Sequence, residues 1–282
     1  MMFKLDTAEL FVPDGLAPED ALARTTHMAL GAHPDDLEIM AYHGILECFQ
    51  QTDKWFTGVI VTNGSGSPRD GLYKDYTDDD MRAVRRKEQK KAAVVGEYAA
   101  QVLLDYPSSA IKDGANKDPV HDLVALFKAA RPEVVYTHNL ADKHDTHVGV
   151  TLKVIEAVRS LPVPDRPNQL YGCEVWRDLD WMIDADKVPF DVSSHENFQK
   201  ALLGIFDSQV AGGKRYDLAT MGRRRAHATY HATHGVDEAL GLTFAMDLTP
   251  LITDASKDAA AYVQEHIERF AQEIADRLAR LK

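Results

Sequence analysis

The sequence predicts an α/β fold, Rossmann-like, with a mostly parallel sheet and helices on both faces. Three observations predict it. Short apolar or β-branched runs such as Val59-Ile60-Val61 alternate with longer amphipathic stretches, the pattern of successive βαβ units. Clusters of Gly, Pro, Asn and Ser punctuate the ends of those runs. Histidines and acids gather just beyond two of them, where open α/β sheets bind their ligands.

The elements follow in order. After a polar lead of about 25 residues, His27-Met28-Ala29-Leu30-Gly31 reads as a short buried strand that runs into His33-Pro34-Asp35-Asp36. Pro34 suits a first helical position because it has no N–H to lose, and Asp35, Asp36 and Glu38 complement the positive helix end, so one helix is predicted through Phe49. Residues 57–62 form a β-branched strand, ended by Asn63-Gly64-Ser65-Gly66-Ser67-Pro68. The pattern then gives a helix over 79–97, a strand over 101–104, a helix over 119–130 and a strand over 133–137. A histidine-rich loop, 138–147, precedes a helix over 148–161. Past the proline-rich connector 161–167, a strand covers 170–176, and helices cover 193–206 and a stretch around Arg223. In the tail, 255–282, Val263, Ile267, Phe270, Ile274, Leu278 and Leu281 make one apolar stripe, which packs on the domain or on a second subunit of a homo-oligomer. We therefore divide the chain into a single α/β domain, 1–254, whose motif-bearing core is about 26–210, and a C-terminal amphipathic helix.

Composition narrows the function. The chain has 282 residues, 45% of them hydrophobic, enough for one large core. A formal charge of −12 and a pI near 5.4 exclude a general affinity for nucleic acid or anionic membranes. Arg223-Arg224-Arg225 is too short to change that, and reads as a solvated helix face or a local site for an anionic group. Cys48 and Cys173, the only cysteines, have no CxxC spacing, which fits a reducing cytoplasm. The first residues, MMFKLDTAELFVPDG, lack the uninterrupted apolar stretch of a signal peptide, and no segment approaches the roughly 20 apolar residues of a membrane span. The expected partner is a small molecule.

His33 and Asp36 lie three residues apart across a strand-to-helix turn, so an imidazole and a carboxylate can face one point. A catalytic zinc takes three protein ligands and leaves a position for water. His144-Asp145-Thr146-His147, at the mouth of another predicted strand, can supply the third. Singly, each piece has a plainer explanation: Pro-Asp-Asp as a helix start, Asp145 or Thr146 as a helix cap, each histidine as an ordinary hydrogen-bonding group.

Together, Ala32-His33-Pro34-Asp35-Asp36-Leu37-Glu38 and Asp142-Lys143-His144-Asp145-Thr146-His147 resemble the two motifs of the LmbE/PIG-L family of zinc-dependent N-deacetylases. The resemblance extends to the strand and Gly-Ser turn at Val59 to Ser67, to Arg85-Arg86-Lys87-Glu88, to Arg131-Pro132-Glu133-Val134-Val135 and to Ser208-Gln209, and so covers about Met28 to Gln209. It implies that His33, Asp36 and His147 hold Zn2+, that Asp35 is the general base, and that His144 stabilises the oxyanion. It also implies an N-acetylated amino sugar or related small polar conjugate as substrate. The chemistry of each residue is compatible: a carboxylate beside a ligand can take a proton from water, and a protonated His144 can offset charge on a tetrahedral intermediate or pass a proton to the amine. Iron, cobalt or nickel would suit the same donors.

Around these residues, Asp142 can orient His144 through a hydrogen bond, or simply form the loop turn. Glu38 supports the site or serves only as a first-turn acid. Arg85 contacts substrate or is an exposed Arg paired along its helix. The chain departs from the family at Tyr42 and His43, where members usually carry two glycines, and these side chains are expected either to narrow the pocket or to belong to the helix alone. It departs again at Ser108, where an acid often follows the proline, and at Asp207, where a histidine is frequent. The Gly64 to Ser67 turn can offer N–H groups to a phosphate or hydroxyl, but lacks the Gly-Lys-Ser of a nucleotide P-loop. His227, His231 and His234 lack an accompanying acid motif and read as a helix face near the crevice. The leading expectation is a zinc-dependent N-deacetylase. A zinc-dependent hydratase or lyase, or a non-catalytic metal-binding protein, would use the same fold.

Overall fold

A computed structural model describes residues 2–282. Eight strands, β1 (Glu9–Phe11), β2 (His27–Gly31), β3 (Phe56–Thr62), β4 (Ala100–Tyr106), β5 (Val134–His138), β6 (Gln169–Cys173), β7 (Lys187–Asp191) and β8 (Leu242–Asp247), form one sheet ordered β1-β4-β3-β2-β5-β6-β8-β7. The run β4-β3-β2-β5-β6 is parallel, while β1, β8 and β7 pair antiparallel at the two edges. The chain winds from β2 outward through β3 and β4, then returns to lay β5 on the other side of β2. That reversal opens a crevice beyond the carboxyl ends of β2 and β5, the position at which doubly wound sheets bind ligands.

Helices cover both faces because the central strands are apolar on both. Met28, Leu30, Val59, Val61, Val102 and Leu104 pack with α6 (Asp118–Ala130) and α7 (Asp145–Arg159), supported by α1 (Pro18–Ala23), α5 (Ser108–Lys112) and α11 (Thr249–Thr253). Alternate residues Ala29, Ile60 and Leu103 pack with α2 (Asp36–Met40), α3 (Tyr42–Cys48), α4 (Asp78–Val95) and α8 (Glu196–Gly204). The remaining helices are α9 (Asp207–Val210), α10 (Tyr216–Tyr230) and α12 (Ala259–Arg280). No described helix is long and apolar enough to cross a membrane.

The structure differs from the sequence reading in four places. The single helix expected over 34–49 is broken at Ala41, because the buried Arg224 guanidinium donates to the carbonyls of Glu38 and Ile39, both at 3.0 Å, and so occupies acceptors the next turn would use. The polar lead contains β1 and α1. β7 and β8 were not anticipated, and Pro189 inside β7 is tolerated because β7 is an edge strand. Finally, α12 is anchored near its start, where Tyr262 donates to the Asp247 carbonyl and His266 and Arg269 meet Asp186, but its apolar stripe does not pack on the domain: Ile267, Ile274 and Leu278 are 43%, 39% and 55% exposed.

Candidate metal centre

The first motif leaves β2 at Gly31 and enters α2 through a strained turn. Asp35 holds φ +100°, a left-handed conformation that costs a non-glycine residue of order 1–3 kcal/mol and that clusters at functional sites. Two contacts hold the turn. The Asp35 N–H is accepted by Gln89 on α4 at 3.2 Å, and the Arg85 guanidinium donates to the Pro34 and Gly64 carbonyls. Gly64 has φ +64°, and a Cβ there would stand 2.8 Å from Arg85 Nη1, so this turn requires glycine.

The second motif begins α7, on the far side of the crevice. His33 Nδ1 and His147 Nε2 lie 3.2 Å apart, and Asp36 Oδ2 lies 3.4 Å from the first and 3.5 Å from the second. Ligands about 2.0–2.1 Å from a tetrahedral zinc stand roughly 3.4 Å from one another, so these three donors fit such an ion. The electrostatics agree. Burial pushes His33 down to about 4, leaving a neutral imidazole, and although burial opposes it, His147 and His138 hold Asp36 well below the usual carboxylate range. Burial also opposes a charge on His147, yet Asp36 and Asp142 raise it, so the site favours a positive charge at this point.

Asp142 supports a different imidazole from the one expected. Its Oδ1 accepts the His144 backbone N–H at 2.9 Å and stands 3.4 Å from His147 Nδ1, while Oδ2 accepts the N–H of Trp176 at 3.0 Å. The carboxylate thus backs His147, while Nδ1 of the His144 ring is taken up by the backbone of its own helix. His144 Nδ1 accepts the Thr146 N–H at 3.2 Å, which leaves the proton on Nε2. Burial, His147 and, among smaller causes, the charge of Lys112 lower its pKa, so His144 is a neutral donor rather than the imidazolium considered from sequence.

Asp35 lies beside this cluster without joining it. Burial drives its carboxyl well above the usual range, against the opposing charge of Arg85, whose Nη2 is 3.4 Å away. The two adjacent aspartates are therefore pushed in opposite directions. Beneath them Glu38 is fully buried, accepts from Gln89 Nε2 at 2.9 Å and Tyr98 Oη at 2.8 Å, and is pushed up by burial to about 7.

His33, Asp35, Asp36, Arg85 and His144 line a crevice of about 260 Å³. Arg85, 3% exposed, is part of its floor and not the exposed helix residue that was the alternative. Tyr42 and His43 do not line it. The break at Ala41 turns Tyr42 into the core, its hydroxyl 3.3 Å from the His195 carbonyl, and His43 stacks on Phe190 at 4.2 Å with Nδ1 3.0 Å from Tyr136 Oη; Ile39 faces the crevice instead. His227 pairs with Glu174 at 3.1 Å on another part of the surface. The basic run also divides: Arg224 is buried under α2, Arg223 donates to the Val175 carbonyl and Arg225 pairs with Glu196.

Two lining residues carried no recognisable signal. Trp176 and Tyr216 form an aromatic wall, with ring centroids 6.0 Å apart, from segments far from either motif. His138, stacked on His147 at 3.9 Å, accepts the Ala32 N–H through Nε2 and links β5 to β2 at the floor of the site; its place at the end of a predicted strand was the available clue.

With this geometry in place, comparison with known proteins is informative. Residues 28–158 match the family described as PIG-L, GlcNAc-PI de-N-acetylase. These residues form a PIG-L family domain. Both motifs of the PIG-L domain fall within that span. No curated protein matches the sequence significantly. Among solved structures, the fold is similar to 4-carboxy-2-hydroxymuconate hydratase GalB from Pseudomonas putida KT2440, at 17% identity and TM-score 0.62, covering 79% of this chain and 95% of that one. It is also similar to N,N'-diacetylchitobiose deacetylase from Pyrococcus horikoshii, at 17% identity and TM-score 0.57, covering 79% and 84%. A third is A40926 pseudoaglycone deacetylase, at 14% identity and TM-score 0.57, covering 79% and 97%. At these identities the likeness concerns the fold.

Proposed function

We propose that this protein is a zinc-dependent hydrolase that removes an N-acetyl or other N-acyl group from an amino sugar or related small polar conjugate. The observation that carries the reading is the triangle of His33 Nδ1, Asp36 Oδ2 and His147 Nε2, with the Asp35 carboxyl and the His144 Nε2–H in the same crevice. A zinc ion held by the three donors supplies Lewis acidity toward a water and an acyl carbonyl. Asp35, whose carboxyl lies in the crevice beside the donor triangle, takes a proton as the water oxygen bonds to the acyl carbon. His144 donates its Nε2–H to the carbonyl oxygen as charge develops there, without needing to be charged itself. The proton held by Asp35 then passes to the nitrogen as the C–N bond breaks, giving a carboxylate and a primary amine.

Release of acetate and primary amine by zinc-loaded protein across N-acetylated sugars and amino-acid conjugates tests this reading, with Asp35→Asn as the blank. Equal release of both products by wild type alone supports it; silence across the panel with zinc bound removes it. A hydratase is the second reading, since one of the similar folds is a hydratase and the same base and activated water can add across a double bond. It would give a hydrated product and no amine.

A further inference from the structure

The crevice walls differ in charge from its floor. Asp35, Asp36 and Arg85 lie at the bottom, whereas Ser108 and Lys112, on α5, line one side nearer the mouth. Neighbouring lysines are engaged: Lys117 pairs with Glu156 at 2.8 Å, and Lys153 donates to the carbonyls of Asp113 and Asn116. Among the described residues Lys112 makes neither an ion pair nor a hydrogen bond, and it shares the crevice lining with His144. Lys214 stands 5.0 Å above the ring of Trp176 but does not itself line the crevice. The wall position after Pro107 holds the neutral Ser108. In a chain of net charge −12, an unpaired ammonium group on the wall of this crevice makes a local reversal of sign.

We propose that the substrate carries an anionic substituent, a carboxylate or phosphate, that pairs with the Lys112 ammonium beside the Ser108 hydroxyl while a ring of the substrate lies against Trp176. The inference rests on the N-deacylase reading and narrows its substrate class. A lysine pairs with an anion as a compact point charge, whichever oxyacid carries it. The Trp176 face, 37% exposed, offers the flat apolar surface that the underside of a sugar ring covers.

The test uses the full-length zinc-loaded protein and three probes: N-acetylglucosamine, its 6-phosphate, and its 3-O-lactyl ether. Acetate release is measured for wild type, Lys112→Gln and Lys112→Glu. The expected result is a kcat/KM at least about tenfold higher for one anionic probe than for the neutral sugar, the size of a charged hydrogen bond. That ratio falls toward one in Lys112→Gln, mainly through KM, and below one in Lys112→Glu. The phosphate and lactyl arms show which anion is preferred. Equal wild-type rates for all three probes, or a preference that survives Lys112→Glu, overturns the inference. If no probe releases acetate, the deacylase reading fails separately, and calorimetric binding of the same probes to zinc-loaded Asp35→Asn decides the inference. There, anion-selective binding that Lys112→Gln abolishes supports it, and binding without anion preference, or no binding, overturns it.

Discussion

The side-chain carbonyl of Gln89 accepts the backbone N–H of Asp35 at 3.2 Å, tying a residue of α4 to the strained turn of the first motif. The other end of the Gln89 amide donates to Glu38, which also accepts from Tyr98. A buried chain of hydrogen bonds thus fixes where the Asp35 carboxyl points.

Replacing Gln89 with Leu leaves the Asp35 N–H without a partner, at a cost of about 1–3 kcal/mol for a buried group, and takes one of its two donors from Glu38 Oε1. We expect Gln89→Leu to lower the denaturation midpoint and to reduce kcat more than it raises KM, since a displaced base weakens the chemical step. An unchanged kcat would show that Asp35 holds its place without this chain.

Glu38 gives the fold a pH dependence whose sign follows from its shift. Its carboxyl is raised from 4.5 to about 7, so between these values the folded protein keeps a proton that the unfolded chain has released. Stability contributed by the protonated group is full below pH 4.5 and is lost as pH rises through 7, by roughly 3 kcal/mol for a shift of this size. Chemical denaturation of wild type and Glu38→Gln at pH 5 and pH 8 checks this: the variant should gain on wild type by that order at the higher pH, and a constant difference between them would contradict it.

Asp142 backs His147 and holds the Trp176 backbone, so its loss reaches both the metal and the aromatic wall. Removal of such a supporting carboxylate typically costs 10–100-fold in metal affinity. Competition with a zinc chelator should show a weakening of about that size in Asp142→Ala; an affinity equal to wild type would mean that His147 needs no backing.

Tyr42 belongs to the core, packed 5.9 Å from Phe198 and 4.9 Å from the Arg224 guanidinium. Truncating a buried aromatic costs about 3–5 kcal/mol. Tyr42→Ala should therefore lower stability by that order while leaving the ratio of kcat/KM between two substrates unchanged, as measured in the fraction that folds. A changed ratio would return Tyr42 to the pocket.

The contrast between Tyr42 and His33 shows what the sequence could and could not reveal. The parallel core was legible because each central strand is a continuous apolar run bounded by breakers, and the two motifs were legible because they sit directly after such runs. The orientation of Tyr42 was not, because it depends on Arg224, far along the chain, whose guanidinium ends α2 at the carbonyls of Glu38 and Ile39. Asp142 was read as a partner of the nearer His144, but one turn of α7 brings His147 Nδ1 to it instead. The edge strands were too short or too irregular to register, as Pro189 in β7 illustrates. The stripe of α12 was read correctly as a pattern, yet periodicity cannot say what covers it.

The most direct test of the metal centre is zinc content after equilibrium dialysis of wild type, Asp35→Asn and His147→Ala. Three convergent donors with Asp35 beside them predict one zinc per chain in wild type and in Asp35→Asn, and substantially less in His147→Ala. Equal zinc in all three, or zinc in none, would contradict the assignment of His33, Asp36 and His147 as the site that holds the ion.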